Sequence, residues 1–374
     1  MSEPTDTEAI DTLRQEIAAA TGGKADNDPL VEYIPKFEDL DEYKPFQAFI
    51  AEILEPDDLA PRTRGSYERT FRYWIEFMEE EGRHPALPGE GHARRFIRVL
   101  RDDYDHQPST IRKQIQHLDR VWEYWQRESM FPHSTDFNPF AIALEKESLG
   151  SSSIKKELPR IDESELREQL QDLLHIRDRA IVISQLKLGL RAGEIQNIQL
   201  QDIALEHADL NDHYPDLGTH DKLRDRDNVI YIPSCHERKG NKSKRPRLLP
   251  LDDEMRQVLI RYLLIRPDTG SPWVFLSKAG HRQLSDEKPI NRAWSDAFPE
   301  DEYGETDEYR AVTSHFGRHR FTTYWMIDQE LSRELVKYMR GDKTGKNREA
   351  IDDYVHAYYE DIENRYLEYI YKLL

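Results

Sequence analysis

The sequence predicts a mainly α-helical protein with a small β-sheet, an α+β domain preceded by a smaller all-helical one, and three observations carry that expectation. From Glu42 to Arg127 apolar residues recur at helical spacing, most plainly at Tyr67, Phe71, Trp74, Ile75 and Met78, which share one face. Strand signals gather in one place, where Val229-Ile230-Tyr231-Ile232 and Leu248-Leu249 flank a basic segment with Gly240-Asn241 at its centre, the pattern of a β-hairpin with a cationic tip. Between these regions, Leu149-Gly150-Ser151-Ser152-Ser153 has the small polar composition of a linker.

Taken in order, residues 1–40 are polar and acidic, with one helical stretch near Glu8 to Ala20, and read as a partner-binding or disordered arm. Residues 41–145 form the helical domain. Two of its expected helix starts carry Arg62 and Arg64, and Arg112 and Lys113, where backbone amides and cations suit phosphates; a solvated helix end is the equally ordinary reading. Residues 146–159 are the linker, and 160–374 the second domain. There an apolar run, Ala180 to Leu190, ends in Gly189-Leu190-Arg191 and leads to Ile195, Ile198, Leu200 and Ile203. Arg191 thus stands at the mouth of a packed core, or simply pairs with Glu194 three residues on. Two acidic inserts, Glu206 to Asp227 and Pro299 to Tyr309, read as surface loops.

The segment Ser314-His315-Phe316-Gly317-Arg318-His319 predicts a helix starting near Thr313, with Thr313 or Ser314 as N-cap. His315 and Arg318 then share a face and can reach one oxyanion, the arginine as a permanent planar cation and the histidine as a switchable donor. His315 and His319 also have the spacing of zinc-binding helices, but Phe316 stands where that chemistry needs its base, so no metal is expected. A satisfied surface histidine is the plain alternative. Downstream, Tyr354, Tyr358, Tyr359, Tyr366, Tyr369 and Tyr371 make a tyrosine-rich stretch whose ordinary use is packing. From Asp361 onward Ile362, Tyr366, Tyr369, Ile370, Leu373 and Leu374 form an apolar helical face.

The order Arg191, then Lys239 in a hairpin, then His315-x-x-Arg318, then Tyr354 resembles the tyrosine recombinases, the phage integrase and Xer family. The resemblance spans about residues 160–374 as a catalytic domain. It extends more loosely over 40–145 as a helical core-binding domain of SAM-like type, the two closing as a clamp on a duplex. It implies a site-specific recombinase that cleaves and rejoins DNA through a 3′-phosphotyrosyl intermediate, with no metal, ATP or other cofactor. Tyr354 would be the nucleophile, Arg191, Arg318 and His315 the phosphate ligands, and Lys239 the general acid, with Lys242 as its substitute in a mobile hairpin. Lys242, Lys244 and Arg245 would also contact DNA. The partner implied is double-stranded DNA at a specific site, on which the chain assembles as a tetramer by docking its tail onto a neighbour; packing of the tail on its own domain is the alternative. One departure stands out: where the family carries a second histidine or a tryptophan, the sequence reads Met339-Arg340-Gly341-Asp342-Lys343. Ionised Asp342 would repel a phosphate oxygen, so Lys343 is expected to take the donor role, with His356, two residues after Tyr354, as the alternative. A type IB topoisomerase and a DNA-binding module without catalysis are the competing functions.

The formal charge of −19 is the reverse of what a DNA-binding protein usually shows. With arginine outnumbering lysine, the dense acidic surface reads as haloadaptation, of the kind an archaeal halophile needs; an acidic protein of a mesophile is the alternative. At a Debye length of about 3 Å in 1 M salt, counterion release contributes little to affinity. Basic residues are therefore expected to be confined to the DNA-facing surface. The single cysteine, Cys235, fits a reducing compartment. No leader or long apolar span is apparent, so the expectation is a cytoplasmic, nucleoid-associated protein and not a membrane one.

Overall fold

The computed structural model describes residues 20, 28–57, 59, 61–149, 156–342 and 358–374. Two compact units, Met1–Lys155 and Lys156–Leu374, make up the chain. The first is all helical: α1 (Lys44–Phe49), α2 (Pro61–Glu80), α3 (Glu90–Asp102), α4 (Pro108–Arg127) and α5 (Pro139–Lys146) surround a core that includes Phe46, Phe71, Trp74, Phe96, Trp122 and Trp125. Proline opens α2, α4 and α5, a position where its missing N–H costs nothing. Asn138 caps α5 by accepting from the amides of Phe140 and Ala141 at 3.1 Å. Each buried indole finds a carbonyl: Trp74 donates to Pro85, Trp122 to Phe137 and Trp125 to Pro45.

The expected acidic arm does not reach as far as residue 40. Leu30 is buried in this core, Tyr33, Ile34 and Phe37 pack against it, and Asp28 pairs with Arg83 at 2.6 Å. The acidic composition hid an apolar repeat at helical spacing, Leu30, Tyr33, Ile34 and Phe37, which is what docks the segment.

The second unit runs α6 (Glu163–Asp172), α7 (Ile176–Leu188), α8 (Ala192–Asn197), β1 (Ile203–Ala204), α9 (Ala208–His213), β2 (Val229–Ile232), β3 (Arg247–Pro250), α10 (Asp253–Ile265), α11 (Lys288–Ala297), α12 (Glu300–Tyr303), α13 (Ser314–Thr323), α14 (Arg333–Arg340) and α15 (Tyr359–Tyr369). The sheet is antiparallel in the order β1-β2-β3, with Tyr231 opposite Leu248 and Ile230 opposite Leu249. Helix α7 is the hub: its residues from Ala180 to Leu188 are all buried, and α10, α11 and α13 pack on it. A helix buried on all sides belongs in the middle of a domain. Gly317 lets α13 approach closely, since a Cβ there would lie 2.8 Å from the Trp294 ring, and that indole donates to Gln185 of α7 at 2.6 Å.

Two sequence expectations are corrected. The insert Glu206 to Asp227 is no bare loop: it folds α9 and a 3-10 turn, and it buries Leu210, Tyr214 and Leu223. Pro299 to Tyr309 likewise folds α12 and buries Tyr303, whose hydroxyl donates to Glu165 at 2.9 Å. The tail packs on its own unit: Ile362, Tyr366, Ile370, Tyr371 and Leu373 join the core, leaving Tyr369 and Leu374 outside. The fully buried cation Lys187 takes part in this packing, since it donates to Asp252 at 2.8 Å and to the Tyr371 carbonyl at 3.1 Å, and also pairs with Glu254. Burying that charge requires ligands, and the tail brings one of them. No helix among the described residues is long and apolar enough to cross a membrane.

Candidate functional site

At the end of α7, Gly189 adopts φ +62°, and a Cβ there would meet the Phe321 ring at 2.6 Å, so only glycine turns the chain at this point. The reversal puts Leu190 in the core and Arg191 at the start of α8, where its amide donates to Glu194 Oε2 at 2.8 Å. The Arg191 guanidinium reaches Ser243 Oγ at 2.8 Å and Asp342 Oδ1 at 2.7 Å. Arg318 comes from α13, begun at Thr313, which caps through its backbone and not its side chain. Arg318 is buried, and it donates to the Gly189 carbonyl at 2.8 Å, the Arg340 carbonyl at 2.9 Å and the same Asp342 Oδ1 at 3.0 Å. Burial, with Arg191 and Arg247 beside it, pushes its pKa down to about 9, which leaves it charged at neutral pH.

Beneath this pair lies a layer that fixes it. Glu194 and Arg247 form a doubly bonded pair with neither side chain exposed, and Ser243 Oγ bridges Glu194, Arg247 and Arg191. Burial raises the Glu194 carboxyl, but Arg247, Arg318 and the Ser243 hydroxyl outweigh it and bring it to about 2. The ordinary Arg191–Glu194 pairing considered from sequence is the weaker contact, at 3.8 Å.

Asp342 sits among arginines. Its carboxylate is held by Arg191 and Arg318 on Oδ1 and by Arg340 on Oδ2, the last at 2.7 Å. A carboxylate is an acceptor for guanidinium forks, so the arginine cluster attracts the group that would oppose a phosphate oxygen. Burial raises the Asp342 carboxyl; Arg318, Arg340 and Arg191 overcome that and hold it below the usual range. The turn is possible because Gly341 has φ +65° and no Cβ, which would otherwise lie 2.6 Å from Arg247 Nη1. Lys343, Tyr354 and His356 lie outside the described residues.

His315 is exposed on α13, with its Nε2 2.9 Å from Nε2 of His319. Burial lowers the pKa of His315 first, then Arg318, Arg310, Arg340 and Arg191 lower it further. The guanidiniums of Arg318, Arg340 and Arg191 thus disfavour its charged form. Among the described residues no group of three or more His, Cys, Asp or Glu is arranged to hold a metal.

The hairpin arm is tied to its surroundings by hydrogen bonds. Asn197 donates to Asn241 at 3.0 Å and to the Lys239 carbonyl at 3.4 Å, while Arg238 donates to Asp202 at 3.0 Å and to the Asn197 carbonyl at 2.7 Å. The Lys244 amide donates to the Gly341 carbonyl at 3.0 Å, tying the hairpin to the Asp342 turn. Lys239, Lys242, Lys244 and Arg245 all expose their side chains, and Lys242 lies 3.9 Å from Glu287. In the first unit Arg62, Arg112 and Lys113 are exposed near the starts of α2 and α4. Arg64 differs: Glu68 at 2.9 Å and Glu55 at 3.2 Å already match its charge.

Sequence reasoning passed over Arg247, Ser243 and Arg340. Arg247 and Ser243 looked like further members of a basic run, and only strand register turns Arg247 inward. The detectable signal for Arg340 was its place beside Gly341-Asp342, where a cation at a helix C-terminus has an ordinary use as well.

Comparison with known proteins agrees with this geometry. The phage integrase family model matches residues 159–360. Tyrosine recombinase XerA of Pyrococcus horikoshii is 24% identical over 196 residues, covering 51% of this chain and 57% of the relative. Tyrosine recombinase XerC of Halalkalibacterium halodurans is 26% identical over 166 residues, 42% of this chain and 51% of the relative. The chain thus spans about half the length of the curated relatives it matches. In fold it resembles lambda integrase, crystallised as a tetramer bound to a Holliday junction, with TM-score 0.57 and 14% identity over 94% of this chain and 91% of that one. It also resembles the Tn1549 transposon integrase in complex with a circular intermediate DNA, with TM-score 0.56 and 14% identity over 85% of this chain and 96% of that one. On the family match, which takes in both arginines, the hairpin and the His-x-x-Arg helix, the chain belongs to the phage integrase family.

Proposed function

We propose that the protein is a site-specific tyrosine recombinase that breaks and rejoins double-stranded DNA, acting in integration and excision of a mobile element or in Xer-type resolution. The observation that carries the reading is the convergence of Arg191 and Arg318 on one carboxylate oxygen, from two elements far apart in sequence. Two guanidiniums aimed at a single oxyanion suit the non-bridging oxygens of a phosphodiester.

In this mechanism Tyr354 attacks phosphorus in line. The new bond joins the phenolic oxygen to phosphorus as the phenol gives up its proton to a neighbouring base or to solvent, and the bond to the 5′-oxygen breaks as Lys239 delivers a proton to that departing oxygen. No water is consumed, and the phosphotyrosyl bond conserves the energy for rejoining, so neither ATP nor metal is needed. Arg191, Arg318 and His315 bear the charge that builds in the transition state, each donor contributing on the order of 3 kcal/mol. Glu194 and Arg247 act from beneath, keeping Arg191 and Ser243 in place. Arg62, Arg112, Lys113, Lys242, Lys244 and Arg245 are proposed backbone contacts on the duplex, and four chains assemble on it. The acidic remainder of the surface is proposed as adaptation to strong salt.

The test is a nicked suicide duplex carrying the recombination junction, taken from DNA flanking the coding sequence, in high-salt buffer with and without chelator. A covalent protein–DNA band that survives denaturation and chelator, and disappears in Tyr354→Phe, is the expected result. A band that persists in the mutant removes Tyr354 as nucleophile. A second reading, a DNA-binding module without catalysis, draws on Asp342 already occupying the arginine pair, and it requires site binding with no band from the wild type.

A further inference from the structure

We infer that Arg340 is a third phosphate-binding arginine of this site, filling the charge role of the missing second histidine, and that Asp342 occupies the seat of the scissile phosphate until DNA displaces it. The assignment of that phosphate rests on the recombinase reading; the anion seat itself rests on geometry.

Three guanidiniums surround the Asp342 carboxylate, Arg191 at 2.7 Å, Arg318 at 3.0 Å and Arg340 at 2.7 Å. The fourth nearby cation, Arg247, is matched by Glu194. Among the described residues, these four arginines against two carboxylates leave two positive charges in excess in a partly buried cluster. Such an excess is costly unless a further anion is meant to enter. A phosphodiester, whose charge grows on the way to the phosphorane, is an anion of the right kind.

Arg340 is built to serve it. Its main chain is fixed, because its carbonyl accepts from Arg318 Nη2 at 2.9 Å. Its side chain is steadied by Nη1 donating to Thr322 Oγ1 at 3.0 Å, and Thr322 is itself tied to the Arg318 carbonyl at 2.7 Å. Its Nε is buried and makes no aligned hydrogen bond, although Asp342 Oδ2 stands 2.7 Å away. A buried donor left misaligned by the carboxylate is one that a differently shaped anion can satisfy. Tetrahedral phosphate presents oxygens in directions a planar carboxylate does not.

Two suicide duplexes test the role, one with an ordinary scissile phosphate and one with a neutral methylphosphonate in its place. Arg340→Ala is expected to slow adduct formation on the order of 100-fold on the phosphate duplex, yet stay within a few-fold of wild type on the methylphosphonate duplex. A purely structural role predicts equal losses on both, which would overturn the assignment, as would no loss on either. Inorganic phosphate supplies a readout free of chemistry. Asp342→Ala is expected to bind it about tenfold more tightly than wild type, and adding Arg340→Ala to abolish that gain. Unchanged phosphate binding in both variants sinks the anion seat. If the wild type forms no adduct, the recombinase reading falls, and the phosphate titration still decides the seat.

Discussion

Glu194 and Arg247 meet through two 3.0 Å contacts, and neither side chain is exposed to solvent. The pair joins α8 to β3 and so sets the position of Arg191 relative to Ser243. Glu194→Gln strands a buried guanidinium, and the expected cost is about 3–5 kcal/mol of unfolding free energy, measured by urea titration. The double variant Glu194→Gln with Arg247→Met is expected to recover part of that loss, since the uncompensated charge is gone. A single variant within 1 kcal/mol of wild type would contradict the account.

The same pair gives a pH dependence of definite sign. The Glu194 carboxyl is held at about 2 in the folded chain against an ordinary value of 4.5, with burial opposed and outweighed by Arg247. A folded pKa below the unfolded one means that the pair's contribution is fully present above pH 4.5 and is lost as pH falls toward about 2. Asp342 adds in the same direction. Wild type is therefore expected to lose stability between those limits more steeply than Glu194→Gln. Parallel curves for the two proteins would remove Glu194 as the cause.

Much of the architecture was legible because periodicity reports burial. The face Tyr67, Phe71, Trp74, Ile75, Met78 is buried as its spacing implies, and the strands around the basic segment pair as a hairpin. The structure also brings Arg191 and Arg318 onto one oxygen, although 127 positions separate them (318 − 191). What was hidden depends on contacts that no local pattern encodes. Arg247 is one cation in a basic run until strand register aims it at Glu194. The cations that hold Asp342 were hidden as well, because three arginines converge there only in the folded chain. The tail face of Ile362, Tyr366 and Ile370 was legible as apolar, but its link to the buried Lys187 through the Tyr371 carbonyl was not.

His315 and His319 make a second titrating pair, their Nε2 atoms 2.9 Å apart on adjacent turns of α13. One nitrogen must donate and the other accept, so the pair does not hold two imidazolium charges. Burial first, and His315 next, lower His319 to about 4. Ring-proton NMR is expected to find His319 neutral above about pH 5, and His315→Ala to move its titration upward toward the ordinary histidine value. A His319 titration that ignores the substitution would show that the two rings are uncoupled.

Gly341 separates backbone strain from contact, because a matched control exists. Gly341 and Gly82 have nearly the same φ, +65° and +67°, but a Cβ at Gly82 meets nothing within 4 Å. At Gly341 it would lie 2.6 Å from Arg247 Nη1 and 2.9 Å from both the Arg245 carbonyl and Ser243 Oγ. Gly82→Ala is expected to cost about 1 kcal/mol from strain alone and to leave adduct formation unchanged. Gly341→Ala carries the same strain and also has to push Arg247, Ser243 or the hairpin backbone away. Because the Gly341 carbonyl accepts from the Lys244 amide, and Asp342 follows directly, that displacement reaches the arginine cluster. The expected outcome is a larger loss of stability than in Gly82→Ala, together with loss of covalent adduct while the duplex is still bound. Equal behaviour of the two alanine variants in both measurements would mean that the hairpin yields without cost, and that the turn at Gly341 does not position the site.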